Sequence, residues 1–196
     1  IRGVNTTIGQ IANAAKASVG NLAVTSNTIK QEQVFEQMNF LSFWVACFSG
    51  TCLLVLLNPF IGDIWFDTSY TISEHIIAIM VVNFFIAVMT YSVEAFRIAN
   101  GLFVYGWYRP AIMAVLNIVL DIIMGNKWGI PGIFLATTIS RALTQVWFDP
   151  YLIYKMVFKK SAKQYFFKYI LYLGSTALSG LTVLEICKLI SLSNIW

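Results

Sequence analysis

The stretch Met38–Gly62, MNFLSFWVACFSGTCLLVLLNPFIG, decides the fold class, because it carries no charged side chain over a length that can cross a bilayer. A hydrocarbon core about 30 Å thick is crossed by roughly 20 helical residues. In lipid a lone segment satisfies its backbone hydrogen bonds only as a helix. Ile76–Val93 and Tyr169–Leu184 are equally free of charge. The composition agrees: 58% of residues are hydrophobic and 11% charged, against about 25% charged in a soluble domain. The expected fold is all-α: a polytopic membrane helix bundle of about six transmembrane helices, with residues 1–196 as a single domain.

The boundaries follow from breakers and polarity. The first helix, about Val4–Ala23, is amphipathic. The second, about Phe40–Leu57, should stop at Asn58-Pro59, because proline lacks the N–H that continues the ladder. The third covers about Ile76–Arg97, and the fourth about Arg109–Met124, with Pro110 in its first turn and Gly125-Asn126 as its break. The fifth runs from about Gly132 to Val157, kinked at Asp149-Pro150, and the sixth from about Phe166 to Leu189. The chain opens at Ile1 in a polar, helix-like stretch and stops at Trp196 just after an apolar one, so a piece of a longer protein is expected.

Charge in the loops gives orientation. Lys30 in the first is offset by Glu32 and Glu36; the second has Asp63, Asp67 and Glu74 and no Lys or Arg; Arg97 and Arg109 flank the third; the fourth has only Lys127. The fifth carries Lys155, Lys159, Lys160, Lys163 and Lys168. Loops one, three and five should therefore face the cytoplasm, the lysines touching anionic lipid headgroups. Trp65, Phe66 and Tyr70 outside, and Tyr105, Trp107 and Tyr108 inside, suit interfacial belts. Cys47, Cys52 and Cys187 lie in apolar runs without ligand spacing, and His75 is the sole histidine, which argues against a disulfide framework or a metal site. No nucleotide-binding loop or catalytic triad is present, so ATP-driven chemistry is disfavoured and no cofactor is expected.

Several polar residues in the spans are candidates for function. On the first helix Asn5, Gly9, Asn13, Lys16 and Gly20 share one face at helical spacing. A cation at mid-membrane is costly unless it faces protein or a wet cavity. Lys16, with Asn13 and Asn5, could line such a cavity and attract an anionic group; it could also snorkel, pair with a carboxylate elsewhere, or belong to a surface-lying segment. Arg141 lies about nine residues into the fifth helix, roughly 13 Å deep. It reads as a second cavity cation or, preferably, as a structural pair for which Asp121 is the first suspect. Asp121 with Asn117 could form a coupling-ion site, against the ordinary reading as interhelical glue. Glu94 with Arg97, and Glu185 with Lys188, have the spacing of local pairs, the former also a possible gate. Gly174, Ser175, Ala177, Ser179 and Gly180 suit close helix packing.

The fourth and fifth helices carry a resemblance. Asn117-Ile118-Val119-Leu120-Asp121-Ile122-Ile123, followed by Lys127-Trp128-Gly129-Ile130-Pro131-Gly132-Ile133-Phe134-Leu135-Ala136-Thr137-Thr138-Ile139-Ser140, resembles Wzx-type polysaccharide and O-antigen flippases of the multidrug/oligosaccharidyl-lipid/polysaccharide, MATE-like superfamily. Ser18-Val19-Gly20-Asn21-Leu22, Asn58-Pro59-Phe60-Ile61 and Trp65-Phe66 are similar to further stretches of that family, whereas Asp67 departs from the small residue expected there. The resemblance implies most of one bundle of a two-bundle transporter, about helices eight to thirteen. It implies a polyprenyl-diphosphate-linked oligosaccharide as cargo, with Lys16 the position most like the family's cationic cavity residues, and Na+ or H+ as a coupling ion. Such a protein is no enzyme and binds no nucleic acid, and it sits in the bacterial inner membrane. A drug/cation antiporter of the same superfamily, with a carboxylate-dominated cavity, and a membrane-embedded glycosyltransferase or ligase subunit stand as alternatives.

Overall fold

The computed structural model describes residues 19–23 and 27–193. It is a helical bundle, with no strand among the described residues. Four of its helices are long and apolar enough to cross a membrane. Six α-helices, with short 3-10 and π turns between them, organise the described residues: α1 Thr28–Pro59, α2 Glu74–Ala99, α3 Arg109–Trp128, α4 Ile130–Arg141, α5 Phe148–Ile153 and α6 Lys163–Ser193. The predicted first helix lies outside the described residues except for 19–23, which are helical.

Each boundary that moved has a local cause. α1 begins well before Phe40, because the Asn27 side chain caps it by accepting from the Lys30 N–H, at 3.0 Å. Its polar first turns are then anchored by ion pairs to the α6 end, Glu32 with Lys160 at 2.6 Å and Glu36 with Lys168 at 2.7 Å. At the other end Pro59 does not stop the chain, which continues as a π turn, Phe60–Trp65. Asn58 fixes that exit with two reciprocal bonds to the Ile72 backbone, at 2.8 and 2.9 Å. α3 runs straight through Gly125-Asn126 and breaks only at Gly129, which holds φ +65°. Glycine adopts that left-handed region without steric cost.

The predicted fifth helix proves helical but irregular, with a turn at Trp147. A π turn, Ala142–Val146, joins α4 to α5, and another, Tyr154–Phe158, follows α5. The irregularity precedes Asp149-Pro150 by one turn. Pro150 falls in the first turn of α5, where a missing N–H costs little.

α2 is the central helix, and its Phe84, Phe85, Val88, Met89 and Phe96 are essentially inaccessible. At the end that carries the lysine-rich loop, called the inner end after its predicted orientation, Phe35 of α1 meets the rings of Phe96, Tyr154, Phe158 and Tyr165 at 5.0 to 6.0 Å. The start of α1, the 100–108 loop and the start of α6 therefore gather at one end, as the alternating charge of the loops requires. Small residues let α6 approach α1: Thr51 and Ser179 hydroxyls lie 3.4 Å apart, and a Cβ on Gly180 would stand 2.8 Å from Leu54. Gly174, read as a packing position, faces open space instead.

Candidate functional site

Three groups of polar residues lie inside the bundle, two on the α3–α4 hairpin and one at its inner end. Lys16, Asn13 and Asn5 lie outside the described residues.

The first group surrounds Arg141. Phe134, Thr137 and Arg141 recur at helical spacing on α4 and face Met80, Asn83, Phe84 and Ala87 on α2, across an open cleft of about 320 Å³. The Asn83 amide donates to the Phe134 carbonyl at 3.0 Å and ties the two walls together. Arg141 is half-buried at the end of α4, eleven residues from Ile130, or roughly 16 Å along the axis. Among the described residues it has no ion-pair partner within 4 Å. The expected pair with Asp121 does not form, and the register explains why. Asn117 of α3 donates to the Thr137 hydroxyl of α4 at 3.5 Å. In an antiparallel hairpin this sets Asp121 level with Ile133, two turns and about 12 Å from Arg141.

The second group follows from the same register. Thr137 in turn donates to the Ile133 carbonyl at 3.3 Å, so the level of Asp121 is rich in oxygen. Asp121 Oδ1 is buried with no hydrogen-bond partner among the described residues. The hairpin can hold these groups close because Gly132 abuts the Met124 carbonyl, in space that a Cβ would fill. A partly buried carboxylate at the level of an amide, a hydroxyl and a main-chain carbonyl has the donor chemistry that suits a small hard cation or a proton.

The third group was not foreseen. Asp149, 1% exposed, accepts ion pairs from Arg97 in the last turn of α2, at 3.5 Å, and from Arg109 in the first turn of α3. Arg97 is therefore directed at Asp149 and not, as its spacing suggested, at Glu94. The Phe148 ring lies under the Arg109 guanidinium at 5.7 Å and fills the space where a Cβ on Gly106, at φ +74°, would stand. Two cations on one carboxylate leave a net positive charge at the inner end. A buried pair of this kind is strongly destabilised when one partner is lost.

Elsewhere the outcome is ordinary. Glu185 and Lys188 pair locally at 3.3 Å, as their spacing predicts. Lys160 and Lys168 of the lysine-rich loop are engaged with α1, and Lys155 lies 5.4 Å over the Tyr151 ring. The three cysteines are free, and no cluster of three or more metal-binding side chains occurs among the described residues.

Sequence reading missed Asn83 and Asp149. Asn83 had a signal, being the single amide in the otherwise apolar run Ile76–Val93. Asp149 had one as well, a carboxylate within the predicted fifth helix, which the adjoining proline disguised as a kink.

No family model, curated protein or solved structure matches the chain.

Proposed function

We propose that this chain is part of a multi-pass inner-membrane flippase, which moves a polyprenyl-diphosphate-linked oligosaccharide across the bilayer by alternating access. The observation that carries the reading is Arg141. It is a guanidinium at the end of α4, half-buried in a cleft against the apolar α2 and without a counter-ion among the described residues. Such a group is retained in hydrocarbon at a cost that a purely structural role does not offset. Its planar donor fork suits a phosphate. The diphosphate would sit against Arg141, with the lipid tail left in the bilayer and Lys16 as a second cation. Asp121, with Asn117 and Thr137, would take the coupling ion, Na+ or H+.

The cleft lining contains one cation and no carboxylate, which favours an anionic headgroup over the cationic substrate of a drug antiporter. A glycosyltransferase or ligase would want acidic groups held together on the outer side. Asp63 and Glu74 are exposed there, and neither belongs to a metal-binding cluster.

The test is complementation of a flippase-deficient strain by the full-length gene, with surface glycan as the readout. The wild type should restore glycan, Arg141→Lys should restore part of it, and Arg141→Ala should restore little. Lys16→Ala is the companion variant for the second cation. Failure of the wild type removes transport of this cargo, and equal rescue by Arg141→Ala removes the arginine's role.

A further inference from the structure

The two sides of the Arg141 cleft are held very differently. Its α2 wall belongs to the central helix, half of whose membrane window is buried (50%), whereas the membrane window of α3, behind the other wall, is 6% buried. α3 packs chiefly on α4, so the two form an arm. α4 also packs along α2, and three local attachments add to that contact. One is the Asn83 bond to the Phe134 carbonyl, which crosses the cleft. The second is the Ala142–Val146 π turn, through which α4 continues into α5. The third is at the inner end, where Arg109 of α3 reaches Asp149 of α5 and Gly106 seats the Phe148 ring.

The π turn has the character of a moving part. A π turn inserts an extra residue into the helical ladder, and such insertions coincide with bends and functional sites. Pro150 and Val146 also border a small void with Thr90 and Tyr169, whose buried hydroxyl has no hydrogen-bond partner among the described residues. Beyond the π turn the chain is fixed: Ile153, Tyr154 and Phe158 are at most 4% exposed in the aromatic core. Asp149 itself stays with that core through its second partner, Arg97 of α2. Loss of the Arg109 contact would therefore free α3 and leave the core closed.

We infer that the α3–α4 hairpin is a mobile arm that pivots on the Ala142–Val146 π turn, latched at its inner end by Arg109 on Asp149, and that its release widens the Arg141 cleft. This deepens the proposed function by supplying the motion that admits a headgroup. The measurement that tests it does not depend on transport, so either can fail alone.

The experiment uses the full-length protein in membranes, with Cys47, Cys52 and Cys187 replaced and a reporter cysteine at Ala87, in the cleft wall. With the latch intact, a membrane-impermeant maleimide should label the reporter slowly. Arg109→Gln, which spares the Arg97–Asp149 pair, should speed labelling by roughly tenfold or more. Unchanged labelling in an Arg109→Gln protein that folds overturns the proposal. Should that variant fail to fold, the native latch decides. Spin labels on exposed Ile118 of α3 and Leu171 of α6 should give two distances in lipid nanodiscs, and a single narrow distance overturns the proposal.

Discussion

Phe35, at the inner end of α1, is surrounded by four aromatic rings from α2, the end of the fifth span and α6. α3, by contrast, buries only Met124. The same division runs through the charges. Arg97 and Arg109 converge on a carboxylate at the inner end, whereas Arg141 and Asp121 on the hairpin have no ionic partner among the described residues. Ionisable groups inside a membrane are expensive in both places. At the inner end they compensate one another and hold helices together; on the hairpin they remain available to something else. The lesson is that depth alone does not tell what a charge does: a paired one can hold or latch helices, and an unpaired one is free to meet a ligand.

The largest effect should come from breaking the inner end. Asp149→Ala strands two guanidinium groups that are each about nine-tenths buried. It should cost roughly 3–5 kcal/mol, visible as a large drop in the apparent Tm of the purified full-length protein. Arg141→Ala should leave that Tm near the wild-type value. If the two variants fall together, the contrast drawn between them is wrong.

Next comes the hairpin, where shape does the holding that charge does inside. A Cβ on Gly132 would overlap the Met124 carbonyl, a main-chain atom that cannot turn aside. Gly132→Ala should therefore prise α3 from α4, at about 1–3 kcal/mol. It should also disturb the level shared by Asn117 and Thr137. Asp121→Asn sharpens the comparison from the other direction, because it removes a buried charge that no partner balances. Stability should hold or rise slightly, within about 0.5 kcal/mol. Under the proposed function, any dependence of glycan export on Na+ or on pH should disappear. A large fall in Tm would mean that Asp121 is structural after all.

Much of this was legible in the sequence, and the rest was hidden for identifiable reasons. The charge-free runs locate α1, α2 and α6, since apolar length is a local property that lipid imposes directly. The sharing of one end by loops one, three and five could also be read, from the alternating charge. What could not be read is whatever depends on chain segments far apart meeting. Arg97 had a plausible neighbour in Glu94, and nothing local favours Asp149 over it. The absence of an Arg141–Asp121 pair follows from the hairpin register, which is fixed by Gly129 and by the Gly132 contact. The sequence reading had placed the turn at Gly125. Extension of α1 back to Thr28 depends on Asn27 as a cap and on two lysines of the distant fifth loop. Charge counting had recorded those lysines only as topology signals.

The smallest expected effect completes the contrast. Lys160 and Glu32 form a close pair, 2.6 Å apart, with the lysine side chain 59% exposed. Exposed pairs of this kind gain little, because water and salt screen them and two long side chains must be ordered. Lys160→Ala should lower the apparent stability by under about 1 kcal/mol, and the loss should shrink further as salt is raised. Asp149→Ala should keep most of its cost in high salt, because its ion pairs are buried beyond the reach of counter-ions. Equal salt sensitivity in the two variants would show that water reaches the inner cluster, and that its charges are no more structural than those at the surface.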